Sequence, residues 1–267
     1  MQYILTVFLP AALIFCCFRL SGIVLGVLAL CLYILIAGFV KLPDLLMIKG
    51  AKVYTKNPEK GLAYMEKALQ TKRLRPDFIL YYGFVCLKAG KLEEAERILD
   101  AAAHKKMKPD TEARAVVNRA LLYWKKGNIE KAISILETQL KQGKNAAVYG
   151  TLGQLLLLNG QLQRAMEVNQ DAYAFDKYDE AIVDNLALTY RLSGDLDSSF
   201  SMYKELTEKK LGVPLPYYHY GETLYAMGRK EEAAEMMEKA LTYSFSALAA
   251  VPKETVEARL AEIKSEI

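Results

Sequence analysis

The sequence is poor in the side chains that make metal and redox centres: two histidines, four cysteines and one tryptophan in 267 residues. His104 and His219 stand far apart, whereas a bound metal or a general-base pair usually draws on residues at short, fixed spacing. Cys16, Cys17, Cys31 and Cys86 include no C-x-x-C and no histidine at ligand spacing, and they lack the even framework of a secreted disulfide domain. They read as small apolar packing residues. No nucleotide-binding loop or nucleophile motif is present, so no catalytic, cofactor-binding or metal-ligating residue is assigned and no enzyme is expected. Lysines alternate with glutamates rather than gathering in basic runs with interleaved aromatics, so nucleic acid is not an expected partner.

Charge is missing from the front of the chain. Residues 1–40 hold no Asp, Glu, Lys or His and a single charged side chain, Arg19. Setting Arg19 aside leaves 34 basic against 31 acidic residues beyond residue 40, a nearly balanced surface. Residues 20–40 form an uncharged run of 21, which as a helix is about 31 Å long and matches the hydrocarbon thickness of a bilayer. Residues 2–18 form a second apolar run containing Pro10, which a membrane helix tolerates. Two spans joined by a tight turn at Arg19, Ser21 and Gly22 are expected, with one span as the alternative. A signal peptide is the competing reading of the first run, but a basic n-region and a small-residue cleavage site are both missing.

Lys41, Lys49, Lys52, Lys56 and Lys60 follow the second run within about 20 residues, against Arg19 alone at its other end. The remainder of the chain is therefore expected in the cytoplasm, giving a multi-pass membrane protein. Gly22 and Gly26, four residues apart, allow close approach of another helix. That helix is the first span, a second copy of the chain, or an integral-membrane partner.

Beyond residue 40 the chain repeats itself. GKLEEAERILDAA, GNIEKAISIL, GQLQRAMEVNQDA, GDLDSSFSMYKEL and GRKEEAAEMMEKA return Gly90, Gly127, Gly160, Gly194 and Gly228 at intervals of about 34 residues. Seven residues before each glycine comes a small residue: Gly83, Ala120, Gly153, Ala187 or Gly221. Five residues after it comes Ala95, Ala132, Ala165, Ser199 or Ala233, and seven further on Ala102, Gln139, Ala172, Leu206 or Ala240. Small side chains at such spacing let paired helices approach across a turn.

The pattern resembles the tetratricopeptide repeat family, a helix–turn–helix unit that stacks into a solenoid. The resemblance implies an all-α fold: a membrane anchor over 1–40, a divergent first repeat over 41–75 with Gly61 and Ala68 at its small positions, five repeats over 76–247 beginning near Pro76, Ala113, Ala146, Glu180 and Pro214, and a capping helix over 248–267 carrying Val256, Leu260, Ile263 and Ile267. It also implies a concave groove lined by the first helix of each unit. Carried onto this chain, that groove holds Phe84, Leu87 and Lys88 from the first of the five units, and Arg114, Asn118, Leu121, Trp124 and Lys125 from the second. Gln154 comes from the third, Asp184, Asn185, Leu188 and Arg191 from the fourth, and Tyr218, His219, Glu222 and Tyr225 from the fifth. Aromatic residues there offer anchors or bury against the neighbouring unit; Asn118 and Asn185 are placed to bond a peptide backbone, and the cations to meet acidic groups. Two functions follow. One is a membrane-anchored scaffold that presents the groove to a protein or peptide partner, with membrane lipid around its anchor; the other is an accessory subunit of an integral-membrane enzyme, contacted through the hairpin.

Overall fold

The computed structural model describes residues 9–209 and 211–267, and every element among them is a helix. The chain divides into two compact units, Met1–Phe78 and Ile79–Ile267.

In the first unit, α1 (Leu9–Tyr54) is broken only at Gly22, whose φ of 83° and ψ of 171° lie outside the helical region. Residues 2–8 of the first apolar run lie outside the described residues. The break turns the chain sharply enough for Phe18 to lie over Gly26, where an added Cβ would fall 2.3 Å from the Phe18 ring. Of the partners expected at Gly22 and Gly26, it is the preceding apolar segment that covers Gly26, while Gly22 is the turn itself. Beyond the break, Gly22–Tyr54 is the one helix among the described residues long and apolar enough to cross a membrane. Its apolar side chains stay exposed all round, Ile23 at 76% and Phe39 at 62% among them, as a lipid-facing helix requires.

One difference concerns where this helix ends. An anchor stopping at residue 40 and a divergent first repeat beginning at residue 41 were expected, yet beyond Gly22 α1 runs without interruption to Tyr54. Hydropathy falls after residue 40, whereas the helix continues because Leu, Met, Ile and Lys side chains on both sides of Pro43 and Gly50 are compatible with it. Pro43 sits inside the helix and, having no N–H, leaves the Phe39 carbonyl without its partner four residues on. Arg73 Nη1 donates to that carbonyl at 2.8 Å, and the guanidinium lies 3.6 Å from the Phe39 ring centroid. α2 (Pro58–Gln70), capped by Asn57, packs back on the end of α1. The approach is close: a Cβ on Gly61 would lie 2.5 Å from Tyr54 Cα, and one on Gly50 2.8 Å from Met65 Cγ.

The second unit stacks helix pairs. The first helices are α3 (Pro76–Lys88), α5 (Pro109–Lys125), α7 (Ala146–Leu158), α9 (Glu180–Ser193) and α11 (Leu215–Ala226). The second helices are α4 (Leu92–Ala103), α6 (Ile129–Gln142), α8 (Leu162–Phe175), α10 (Leu196–Glu208) and α12 (Lys230–Leu241), followed by α13 (Lys253–Ser265). The five turn glycines all have φ between 69° and 92°, the left-handed region that a side chain disfavours. Ala95, Ala132, Ala165, Ser199 and Ala233 are wholly buried. Where a helix start needs its orphan N–H groups met, Asn145 accepts from two backbone amides of α7 and Asp179 from two of α9. α5 starts at Pro109, four residues before the expected Ala113, because Pro at its first turn is compatible with the helix.

α13 closes the far end over α12, burying Val256 and Ile263 completely. Between α12 and α13 the loop is held by Tyr243 stacked on Tyr217, ring centroids 5.3 Å apart and planes 6° from parallel. Ala247 N–H in that loop donates to the Lys88 carbonyl of α3 at 3.0 Å.

Candidate functional site

The first helices lie side by side, so residues at equivalent positions form rows across the inner face. One row does something the sequence did not reveal. Counting units from Pro76, Ala113, Ala146, Glu180 and Pro214, the sixth position of a unit reaches the fifth position of the preceding one: Asn118 Nδ2 donates to Leu80 O at 2.9 Å, and Asn185 Nδ2 donates to Gly150 O at 2.7 Å. His219 Nδ1 lies 2.9 Å from Asp184 Oδ1. Asn118, Asn185 and His219 are each 6% exposed. The placement of Asn118 and Asn185 as donors to a peptide backbone is therefore corrected: these side chains tie neighbouring units together, and a buried amide with a good partner has little reason to leave it.

Asp184 is equally committed, accepting from Tyr203 Oη at 3.0 Å as well as from His219. Burial, and then the charge of Asp184, push the Tyr203 hydroxyl up from its ordinary pKa, so it remains a donor. Glu222 and Tyr225 are corrected in the same way. Arg259 of α13 pairs with Glu222 at 2.8 Å and stacks 4.1 Å from the Tyr225 ring centroid, while Tyr225 Oη donates to Glu266 at 2.9 Å. The capping helix has taken the last positions of the groove. Leu87 and Leu121 are buried core residues.

A smaller set remains on the surface. Trp124 and Lys125 are half-buried, with Lys125 Nζ 4.3 Å from the Trp124 ring centroid, a cation over an aromatic face. Burial lowers the Lys125 pKa, because leaving water disfavours the charged form. Lys88 and Arg114 are exposed and Phe84 is half-buried; Lys88 Nζ lies 6.0 Å from the Phe84 ring centroid. Gln154 and Leu188 are half-buried. Arg191 is half-buried with its Nε wholly enclosed and without a hydrogen-bond partner, which is costly for a charged group. Its charge opposes the upward push that burial and Glu222 exert on Tyr218. Leu158 and Leu192, at the thirteenth position of the third and fourth units, are 41% and 47% exposed. The positional rule that named Lys88 and Lys125 also names these leucines, which the sequence reading did not carry over.

The inner face thus offers aromatic and aliphatic area beside cations, an arrangement suited to binding a chain carrying acidic groups. Among the described residues no cluster of His, Cys, Asp or Glu is placed to hold a metal ion.

Solved structures share this architecture. A thermophilic tetratricopeptide repeat protein of Thermus thermophilus is 20% identical, with a TM-score of 0.58 over 72% of this chain and 100% of that one. Cut9 in the APC/C hetero-tetramer Cut9–Hcn1 structure is 17% identical, with a TM-score of 0.60 over 84% of this chain; the match spans only 40% of that chain. At such identities the likeness speaks for the fold alone. Comparison with curated proteins gives no match. Tetratricopeptide repeat models match residues 54–120, 117–180 and 216–246. Because these models take in more than half of the sequence, and the helix pairs, buried small residues and left-handed turn glycines recur through them, the chain belongs to the tetratricopeptide repeat family.

Proposed function

We propose that this chain is a membrane-anchored adaptor whose inner helix face holds a protein partner through an acidic or aromatic segment. The observation that carries the reading is the half-buried pair on the inner face in which Lys125 Nζ lies 4.3 Å from the Trp124 ring centroid, with the half-buried Arg191 on the same face. Ligand carboxylates would meet these cations. Trp124 supplies the apolar area that such a contact needs. The part of α1 beyond Gly22 would supply the anchor, as the second span of a hairpin, and confinement to a membrane raises the effective concentration of anything tethered there. The lysines that follow it support a cytoplasmic side for the repeats.

Partners captured by the full-length protein from solubilised membranes should be lost or weakened when Trp124 is replaced by Ala. Removal of an aromatic anchor worth ~2 kcal/mol is a roughly thirtyfold loss of affinity. Arg191→Gln should act in the same direction, and Glu93→Ala on α4 should have little effect. Retention of the same partners by both groove variants, each with unchanged helical content, would show that the inner face is not the site. A form beginning at Lys41 separates this reading from that of an accessory subunit held through its membrane hairpin, because only the adaptor keeps its partner without the span.

The topology has its own test. A reporter fused after Ile267 should register as cytoplasmic, and an external signal there would overturn the orientation.

A further inference from the structure

α2 and the loop after it bring residues 71–75 back to the end of the apolar run. Phe39 is the last residue but one of the uncharged stretch 20–40, and its carbonyl is where Arg73 donates. Arg75 Nε pairs with Asp44 at 3.1 Å, five residues further along the same helix, so the two attachments lie within about 8 Å along the axis. Lys41 projects from α1 between them in sequence, and Lys72, an exposed residue at φ 59°, precedes Arg73. Four cations are thus gathered at one level against two carboxylates in the same stretches, Asp44 and Asp77. Arg73 and Arg75 come more than thirty residues after Val40, well outside the window in which charges near a span are ordinarily counted. Only the return of α2 places them there.

We propose that Lys41, Lys72, Arg73 and Arg75 form a collar that binds anionic phospholipid headgroups. The inference rests on α1 crossing the bilayer. If Phe39 lies where the hydrocarbon ends, the collar occupies the headgroup layer. A guanidinium has five N–H donors; Arg73 uses one on Phe39 and keeps a planar face on its ring, leaving a fork suited to a phosphate diester. A carbonyl freed by proline near the edge of a bilayer is costly unless met, so Arg73 is held at this depth whether or not lipid is bound. Lys52, near the end of α1, and Lys56, just past it, lie about 12 Å or more beyond Asp44, further than a Debye length at physiological salt.

The test uses the full chain in vesicles of phosphatidylcholine with trace spin-labelled phosphatidylglycerol or spin-labelled phosphatidylcholine, read as the fraction of motionally restricted label. The expected preference for phosphatidylglycerol is about fivefold at low salt, the scale of one to two surface cations, falling towards one in roughly 0.5 M NaCl. Lys41→Gln, Lys72→Gln and Arg75→Gln combined, with Arg73 kept so that Phe39 stays capped, should bring the preference down to about twofold, the share left to one cation. Lys52→Gln and Lys56→Gln combined should leave it in place. No preference in the parent chain, or an undiminished preference in the collar variant, overturns the collar. Alkaline carbonate distinguishes this failure from that of the anchor: a chain stripped from vesicles by carbonate has no span, and the collar's placement falls with it.

Discussion

A full-length chain carrying Gly153→Leu should melt about 8–16 °C below the parent, the equivalent of ~4 kcal/mol for a chain of this size. A Cβ at residue 153 would lie 1.8 Å from Asn169 Oδ1 and 3.2 Å from Asn185 Nδ2. Both amides are buried. Asn169 donates to Thr189 at 2.9 Å, Thr189 to Asn185 O at 2.6 Å, and Asn185 to Gly150 O. A leucine must displace Asn169, whose Oδ1 already lacks a partner, and the displacement breaks the network that joins α7, α8 and α9. Overpacking alone costs ~1–3 kcal/mol and a stranded buried amide a similar amount. Circular dichroism melting in mild detergent measures the effect, with Gly143→Ala as the control. Gly143 is exposed, its φ of 172° suits any residue, and nothing lies within 4 Å of its added Cβ. A Gly153→Leu melting point within about 2 °C of the parent would contradict the close packing of α7 on α8.

The second large effect belongs to the first unit. Gly61→Leu should separate α2 from the end of α1, because the added side chain meets Tyr54 backbone atoms, Cα at 2.5 Å and N at 2.7 Å, which cannot rotate away as a side-chain tip can. Amide exchange in residues 43–54 and 58–70 should accelerate about a hundredfold, corresponding to ~2.8 kcal/mol of lost local stability. Protection in α7 to α9 should persist. Trypsin should then cut at Lys56 or Lys60 before any site in those helices. Equal protection of α2 in the variant and the parent would mean that the helices do not depend on this contact.

The repeat was legible because its signals are backbone requirements. A left-handed turn calls for glycine at residues 90, 127, 160, 194 and 228, and a close helix pair calls for a small residue at fixed distance from that turn. The same register gave the face on which a residue lies but not its depth. Asn118, Asn185 and His219 lie on the face that register names, yet at the seam where neighbouring first helices meet, and their depth is set by how closely those helices stack. Glu222 and Tyr225 were lost to the groove for a different reason. Their partners, Arg259 and Glu266, belong to a helix whose apolar spacing was visible while its polar contacts were not. Arg73 carried no sequence signal towards Phe39, since the link depends on a carbonyl that Pro43 leaves empty thirty residues earlier.

The bond from Ala247 to Lys88 alters how the second unit can come apart. A linear row of repeats frays from its ends, because each terminal member has a single neighbour and opens at lower cost than the middle. In this unit the last loop is also a neighbour of the first helix, with Ala247 Cβ 3.4 Å from where a side chain on Gly90 would begin. The row is thereby joined head to tail. Opening of α3 and release of the loop after α12 become one event, so amide exchange at the two sites should respond together to mild denaturant, and Ala247→Pro, which deletes the donor, should let them respond separately.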